Sequence, residues 1–176
     1  MAVSSKPSID LSISPSIFSP NGDSSKDTVT FNYSINYPTL YLTGEALVKI
    51  EVLNSTGEAV WSQVFNHTAG NYVYEYNGLN SYNLSLNPGN YTVRLSAEDP
   101  LGTAAIPVTA NLSVDYSQPT VGNLSIEPAI FSPQPNGVND QVAISHTLAK
   151  PANVTVKVKQ GDTMVRILQS DKLTDA

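Results

Sequence analysis

Part of this chain is a copy of another part, and that repetition limits its possible folds more than any other feature. Residues 11–29 (LSISPSIFSPNGDSSKDTV) and 124–142 (LSIEPAIFSPQPNGVNDQV) align without a gap at an offset of 113, with ten identities in nineteen positions. The likeness resumes where residues 46–60 (ALVKIEVLNSTGEAV) parallel residues 152–165 (ANVTVKVKQGDTMV) at an offset of 106. The first copy therefore carries about seven extra residues between Tyr37 and Glu45. Each copy is read as one structural unit. A complete module is expected over residues 8–116, a linker over 117–120 (Ser-Gln-Pro-Thr), and a partial second module over 121–176 that stops about halfway through the repeat.

Inside the copies the hydrophobic period is two, and no window carries apolar residues at helical spacing. Val29, Phe31, Tyr33 and Ile35 alternate with Thr30, Asn32 and Ser34. Val48, Ile50 and Val52 alternate with Lys49, Glu51 and Leu53, and Tyr72, Tyr74 and Tyr76 with Val73 and Glu75. Tyr91, Val93, Leu95 and Ala97 alternate with Thr92, Arg94, Ser96 and Glu98. Each run places one set of side chains in a core and the other in water. Turn chemistry separates the runs: Asn54-Ser55-Thr56-Gly57 and Asn87-Pro88-Gly89-Asn90 are each expected to join two strands, and Asp99-Pro100-Leu101-Gly102 to lead into a last strand near 103–114. About seven short strands with a turn every 8 to 12 residues predict an all-β fold, tandem immunoglobulin-like or fibronectin-III-like β-sandwiches with the second incomplete. Phe31, Ile50, Trp61, Val93 and Leu95 are the expected buried anchors, with Phe65 on the face of Trp61.

The residues IFSPNGDSSKDTVTFNYSI, VKIEVLNSTGEAVW and LNPGNYTVRLSAEDPLGTA together resemble the FlgD immunoglobulin-like repeat family. Such repeats open with an SPNGD-type loop, continue with a V-x-V-x-D-x-x-G-x-x-V hairpin and close on a PxGxYxVxVxAxDxxG strand. Tyr76-Asn77-Gly78 stands where the family often has Trp-Asp-Gly. The resemblance covers nearly all of the first copy and the front of the second. It implies a stalk or accessory module of secreted and surface-layer proteins, and it implies no catalytic activity.

Composition narrows the function classes. The chain lacks cysteine, which removes disulfides, thiolate nucleophiles and Cys-ligated metals. Its two histidines, His67 and His146, are too few for a three-His metal site, and neither lies near a nucleophile motif such as G-x-S-x-G. Nine basic residues are spread singly in a chain of net charge −6, which argues against a nucleic-acid surface. No stretch of 18 apolar residues exists, so no membrane-spanning helix is expected. Residues 1–10 lack the apolar core of a secretory signal, so no signal sequence is expected in this chain.

Two patterns remain as candidate sites. The loop 21–27 presents oxygen-bearing side chains at alternate positions, and Asn21, Asp23 and Asp27 are candidate ligands for calcium, the one cofactor considered. The alternative is a loop whose aspartate caps backbone amides before the next strand; the second copy's equivalent, residues 134–140, keeps only Asp140 as an acid. The second pattern is eight Asn-x-Ser/Thr sequons, at Asn32, Asn54, Asn66, Asn83, Asn90, Asn111, Asn123 and Asn153. A chain with 16 asparagines and 35 Ser and Thr would carry about three by chance, and the excess suggests a glycosylated surface protein. Strand faces rich in Asn and Thr could also generate the triplets incidentally.

The function expected from these observations is a non-catalytic extracellular or cell-surface structural module: a spacer, stalk or filament unit that assembles through strand edges of its incomplete second copy. The alternative is an accessory module of a secreted peptidase or glycosidase, binding carbohydrate through its tyrosines. The apolar residues Ile126, Val142, Ile144, Val154, Val156 and Val158 are expected to face an open groove that takes a protein partner or a second copy.

Overall fold

In the computed structural model, which describes residues 6–22, 25–36 and 44–174, the alternating runs become strands and no described residue is helical. Residues 37–43 of the first copy's insertion lie outside the described residues. The chain divides into two compact units, Met1–Tyr116 and Ser117–Ala176.

Unit 1 holds β1 (Ser8–Ser14), β2 (Ile17–Phe18), β3 (Val29–Asn36), β4 (Ala46–Leu53), β5 (Ala59–His67), β6 (Gly70–Tyr76), β7 (Gly89–Glu98) and β8 (Val108–Val114). Its three-stranded sheet has the order β1-β3-β6 and its five-stranded sheet the order β2-β8-β7-β4-β5. After β1 pairs with β3, the chain passes Pro15 and β2 joins the other sheet, parallel to β8. This is an immunoglobulin-like β-sandwich, with the inward residues of both sheets forming one core. Val29, Phe31, Ile35, Val48, Ile50, Val52, Val93 and Leu95 are wholly buried. Each such side chain contributes roughly 1.5–3 kcal/mol by leaving water.

Three expectations need correction. Trp61 is half-buried, packed against the core rather than enclosed, because β5 is the last strand of its sheet. Residues 87–90 do not close a hairpin: β6 and β7 lie in different sheets, and residues 77–88 are a crossover between them. The strand after Asp99 begins only at Val108, since Ala104 makes a single bridge to Glu98 before the chain turns away.

Unit 2 repeats the opening of this architecture. β9 (Val121–Glu127) pairs with β10 (Ala143–Leu148), and β11 (Ala152–Gln160) pairs with β12 (Thr163–Thr174), giving two separate two-stranded sheets. The equivalence extends to backbone detail. The Ser14–Pro15 and Glu127–Pro128 peptide bonds are both cis, and Lys26 and Asn139 both adopt positive φ. Leu148 alone is buried among the described residues of this unit. Val142, Ile144, Val154 and Val156 are half-exposed and Ile126 and Val158 exposed, so the described residues of unit 2 enclose no core.

Candidate functional site

The loop between β2 and β3 is held by its own backbone. The Ser19 amide donates to the Lys26 carbonyl at 2.8 Å, and the Asn21 amide to the Ser19 carbonyl at 2.8 Å. Asp27 completes it, its Oδ1 accepting from the amides of Asn21 at 3.1 Å and Gly22 at 2.9 Å. Unit 2 builds the same loop. The Ser132 amide donates to Asn139 at 2.8 Å, and Asp140 Oδ2 accepts from the Gly137 amide at 2.8 Å. The shared element is the carboxylate that caps backbone amides. Among the described residues no three acid or histidine side chains converge as a cation site, and Asp23 lies outside those residues.

The sequons sort by position. Asn32, Asn66, Asn90, Asn111 and Asn153 are exposed on β3, β5, β7, β8 and β11, while the middle residue of each triplet (Tyr33, His67, Tyr91, Leu112 and Val154) turns toward the core side. A strand that alternates Asn, apolar, Thr therefore writes a sequon wherever its polar face begins with asparagine. Asn123 is exposed at the second unit's first strand and donates to Thr147 Oγ1 at 3.3 Å. Asn83 is exposed in the crossover with positive φ. Asn54 differs from all of these. Its Oδ1 accepts from the amides of Thr56 (3.0 Å) and Glu58 (2.9 Å), and its Nδ2 donates to Glu58 Oε2 at 3.0 Å. That amide is part of the β4–β5 hairpin. The fold also gathers Asn54, Asn90 and Asn111 around one open groove of about 650 Å³, with Ile17, Leu53 and Thr92 among its walls.

The tyrosines are mostly committed to structure. Tyr76 Oη donates to the Leu79 carbonyl at 2.8 Å, Tyr91 Oη to Asn87 at 2.9 Å and Tyr116 Oη to Leu86 at 3.0 Å, so three hydroxyls from two sheets and the chain beyond them fasten the 77–88 crossover. Burial pushes the Tyr76 and Tyr91 hydroxyls above their ordinary range, with nearby tyrosines adding to the shift. Along the side where β5 meets β6, rings from both strands interleave. Trp61 lies 4.7 Å from Tyr76 and 5.4 Å from Tyr74, Phe65 lies 5.6 Å from Tyr74, and His67 stacks on Tyr72 at 3.8 Å. His67 Nε2 meets Tyr33 Oη at 2.9 Å, and burial raises the Tyr33 hydroxyl to about 12. Packing of β5 rings on those of β6, from the edge of one sheet to the edge of the other, gives His67 a structural role. These rings close one side of the sandwich. Tyr82 stands apart, exposed in the crossover.

Glu51 is a polar group that period two misassigns. It points away from the core yet is buried, because Lys49 and Arg94 fold over it, each with a 2.6 Å ion pair. Burial pushes its carboxyl up, but hydrogen bonds from Lys49 and Arg94 and their charges outweigh that and hold it below the usual carboxylate range.

No family model matches the chain, and no curated protein is similar to it. Among solved structures, the PKD domain of an M14-like peptidase from Thermoplasmatales archaeon SCGC AB-540-F20 is similar at 15% identity and a TM-score of 0.39, covering 62% of this chain and 92% of that one.

Proposed function

We propose that this chain is a non-catalytic structural module of an extracellular or cell-surface protein, a spacer or stalk of the FlgD immunoglobulin-like kind. The observation that carries the reading is where the polar chemistry of unit 1 goes. Asp27, Asn54, Glu51, His67 and the tyrosine hydroxyls each hold a loop, a hairpin, a sheet face or a crossover. Polar groups spent on rigidity suit a part whose task is to keep a distance. The outward Asn, Ser and Thr of the strands suit a surface that carries glycans, with the exposed sequon asparagines as acceptors.

A polysaccharide pull-down and a glycan array test the reading: the folded protein is expected to bind no more than a denatured control. Saturable retention on a polysaccharide would favour an accessory carbohydrate-binding module instead. For the glycans, the folded protein is given to an oligosaccharyltransferase and mapped by peptide mass spectrometry. Asn83 is expected to be modified and Asn54 to stay bare, since Asn54 Nδ2 is engaged with Glu58.

A further inference from the structure

Unit 1 builds the same five-residue loop three times, at residues 54–58, 80–84 and 99–103. In each, the first residue's amide donates to the carbonyl of the fifth: Asn54 to Glu58 at 2.9 Å, Asn80 to Leu84 at 2.8 Å and Asp99 to Thr103 at 2.9 Å. The fourth residue's amide donates back to the carbonyl of the first at 2.9–3.0 Å. Oδ1 of the first residue accepts from the amides of the third and the fifth at 2.8–3.0 Å. The fourth position has positive φ throughout, +83 at Gly57, +59 at Asn83 and +83 at Gly102. Glycine fills that slot twice without steric cost, and Asn83 fills it the third time and brings a side chain.

After glycine, asparagine is among the residues that best tolerate positive φ, so conformation alone would explain Asn83 if its surroundings matched the other two loops. They do not match. The slot is flanked by Thr56 and Glu58 in the first loop and by Leu101 and Thr103 in the third. In the second it is flanked by two apolar side chains, both exposed, Tyr82 at 84% and Leu84 at 62%. Strand alternation does not account for the triplet Asn83-Leu84-Ser85 either. In the strand sequons of unit 1 the middle residue turns toward the core, whereas here all three residues are exposed. The base of the loop is fixed, since the Tyr76 and Tyr116 hydroxyls hold the carbonyls of Leu79 and Leu86 on either side of it. A fastened loop thus presents an acceptor amide between two uncovered apolar side chains.

We infer that Asn83 is a glycan attachment point whose first sugar seats on the Tyr82 ring beside Leu84, which rests on the proposal that this surface carries glycans. In the attachment, Asn83 Nδ2 forms a bond to the anomeric carbon of a lipid-phosphate-linked oligosaccharide. The lipid phosphate leaves with the electron pair of the broken C–O bond, and one amide proton goes to solvent. The C–H face of a pyranose laid on an aromatic ring then removes apolar surface from water. Attachment is tested by giving the full chain to an oligosaccharyltransferase with such a donor and mapping it by peptide mass spectrometry, with Asn83 expected to be occupied. Asn83 left bare beside other modified sequons overturns the inference alone, and a chain bare at every sequon overturns the surface-glycan proposal with it. Seating is tested without the transferase. The chain lacks cysteine, so Asn83→Cys supplies a single thiol, alkylated either with iodoacetamide or with the iodoacetamide derivative of N-acetylglucosamine. Both adducts carry the same backbone strain, which cancels in their comparison. The sugar adduct is expected to melt about 2–4 °C above the acetamide adduct and to lose most of that gain with Tyr82→Ala. No gain is expected at Gly57→Cys, the same slot between Thr56 and Glu58. Adducts at residue 83 that melt together, a gain that survives Tyr82→Ala, or an equal gain at residue 57 overturns the inference.

Discussion

Replacing Trp61 by alanine is expected to cost unit 1 about 2 kcal/mol, less than the roughly 3–5 kcal/mol expected of Phe31→Ala, because part of the indole already faces water. Urea unfolding of the two variants checks the order. Glu51 gives a pH-dependent counterpart. Its carboxyl is held below the usual range in the folded state, so its contribution is fully present above the ordinary glutamate value of about 4.3 and is lost as pH falls through the lower folded value. Glu51→Gln is expected to destabilise the unit by about 1–2 kcal/mol at neutral pH, its partners being partly screened. The gap to the native protein is expected to close in acid, as thermal melts across pH would record. Neither residue was fully legible in the sequence. Alternation gives the side of the sheet but not whether a strand is an edge, which decides Trp61. It also assigns outward residues to water, which fails at Glu51 because two long basic side chains fold over it.

At the scale of elements, the decisive join is between the SPNG loop and the turn after β6. Gly78 has φ +76, and a Cβ there would lie 2.6 Å from Pro20 Cγ and 3.0 Å from Phe18 Cε2. Buried Phe18 and Pro20 both lie against Gly78, so the glycine lets the crossover leave β6 directly over the loop. Gly78→Ala is expected to cost about 2–3 kcal/mol, from backbone strain and overpacking together. Gly57→Ala, at a hairpin tip with nothing within 4 Å, is expected to cost only about 1 kcal/mol. Chemical denaturation of both variants separates crowding from φ strain. The strands themselves were legible from period two, because most have one wet and one dry face. The 77–88 crossover was not: Asn-Pro-Gly reads the same whether it closes a hairpin or ends a passage between sheets, and the difference lies in tyrosine hydroxyls from strands far away in sequence.

Across the whole molecule the two units differ in what holds them. Unit 1 encloses a core of valine, isoleucine, leucine and aromatic side chains, while in unit 2 only Leu148 is buried among the described residues. Sixty residues without a closed core among the described residues and without a disulfide are marginal. Amides of β9–β12 are therefore expected to exchange in denaturant well below the midpoint at which β3, β4 and β7 open, and residue-resolved hydrogen exchange checks this. The ring-lined seam of unit 1 has a further effect on any such measurement. All nine tyrosines and the single tryptophan precede residue 117, so the light the protein absorbs and emits in the near ultraviolet comes from one half of it. A melt followed by intrinsic fluorescence would report a robust, single-step protein while the other half came and went unseen. Phe131, the one aromatic side chain on the dark side, is the natural place for a fluorine label.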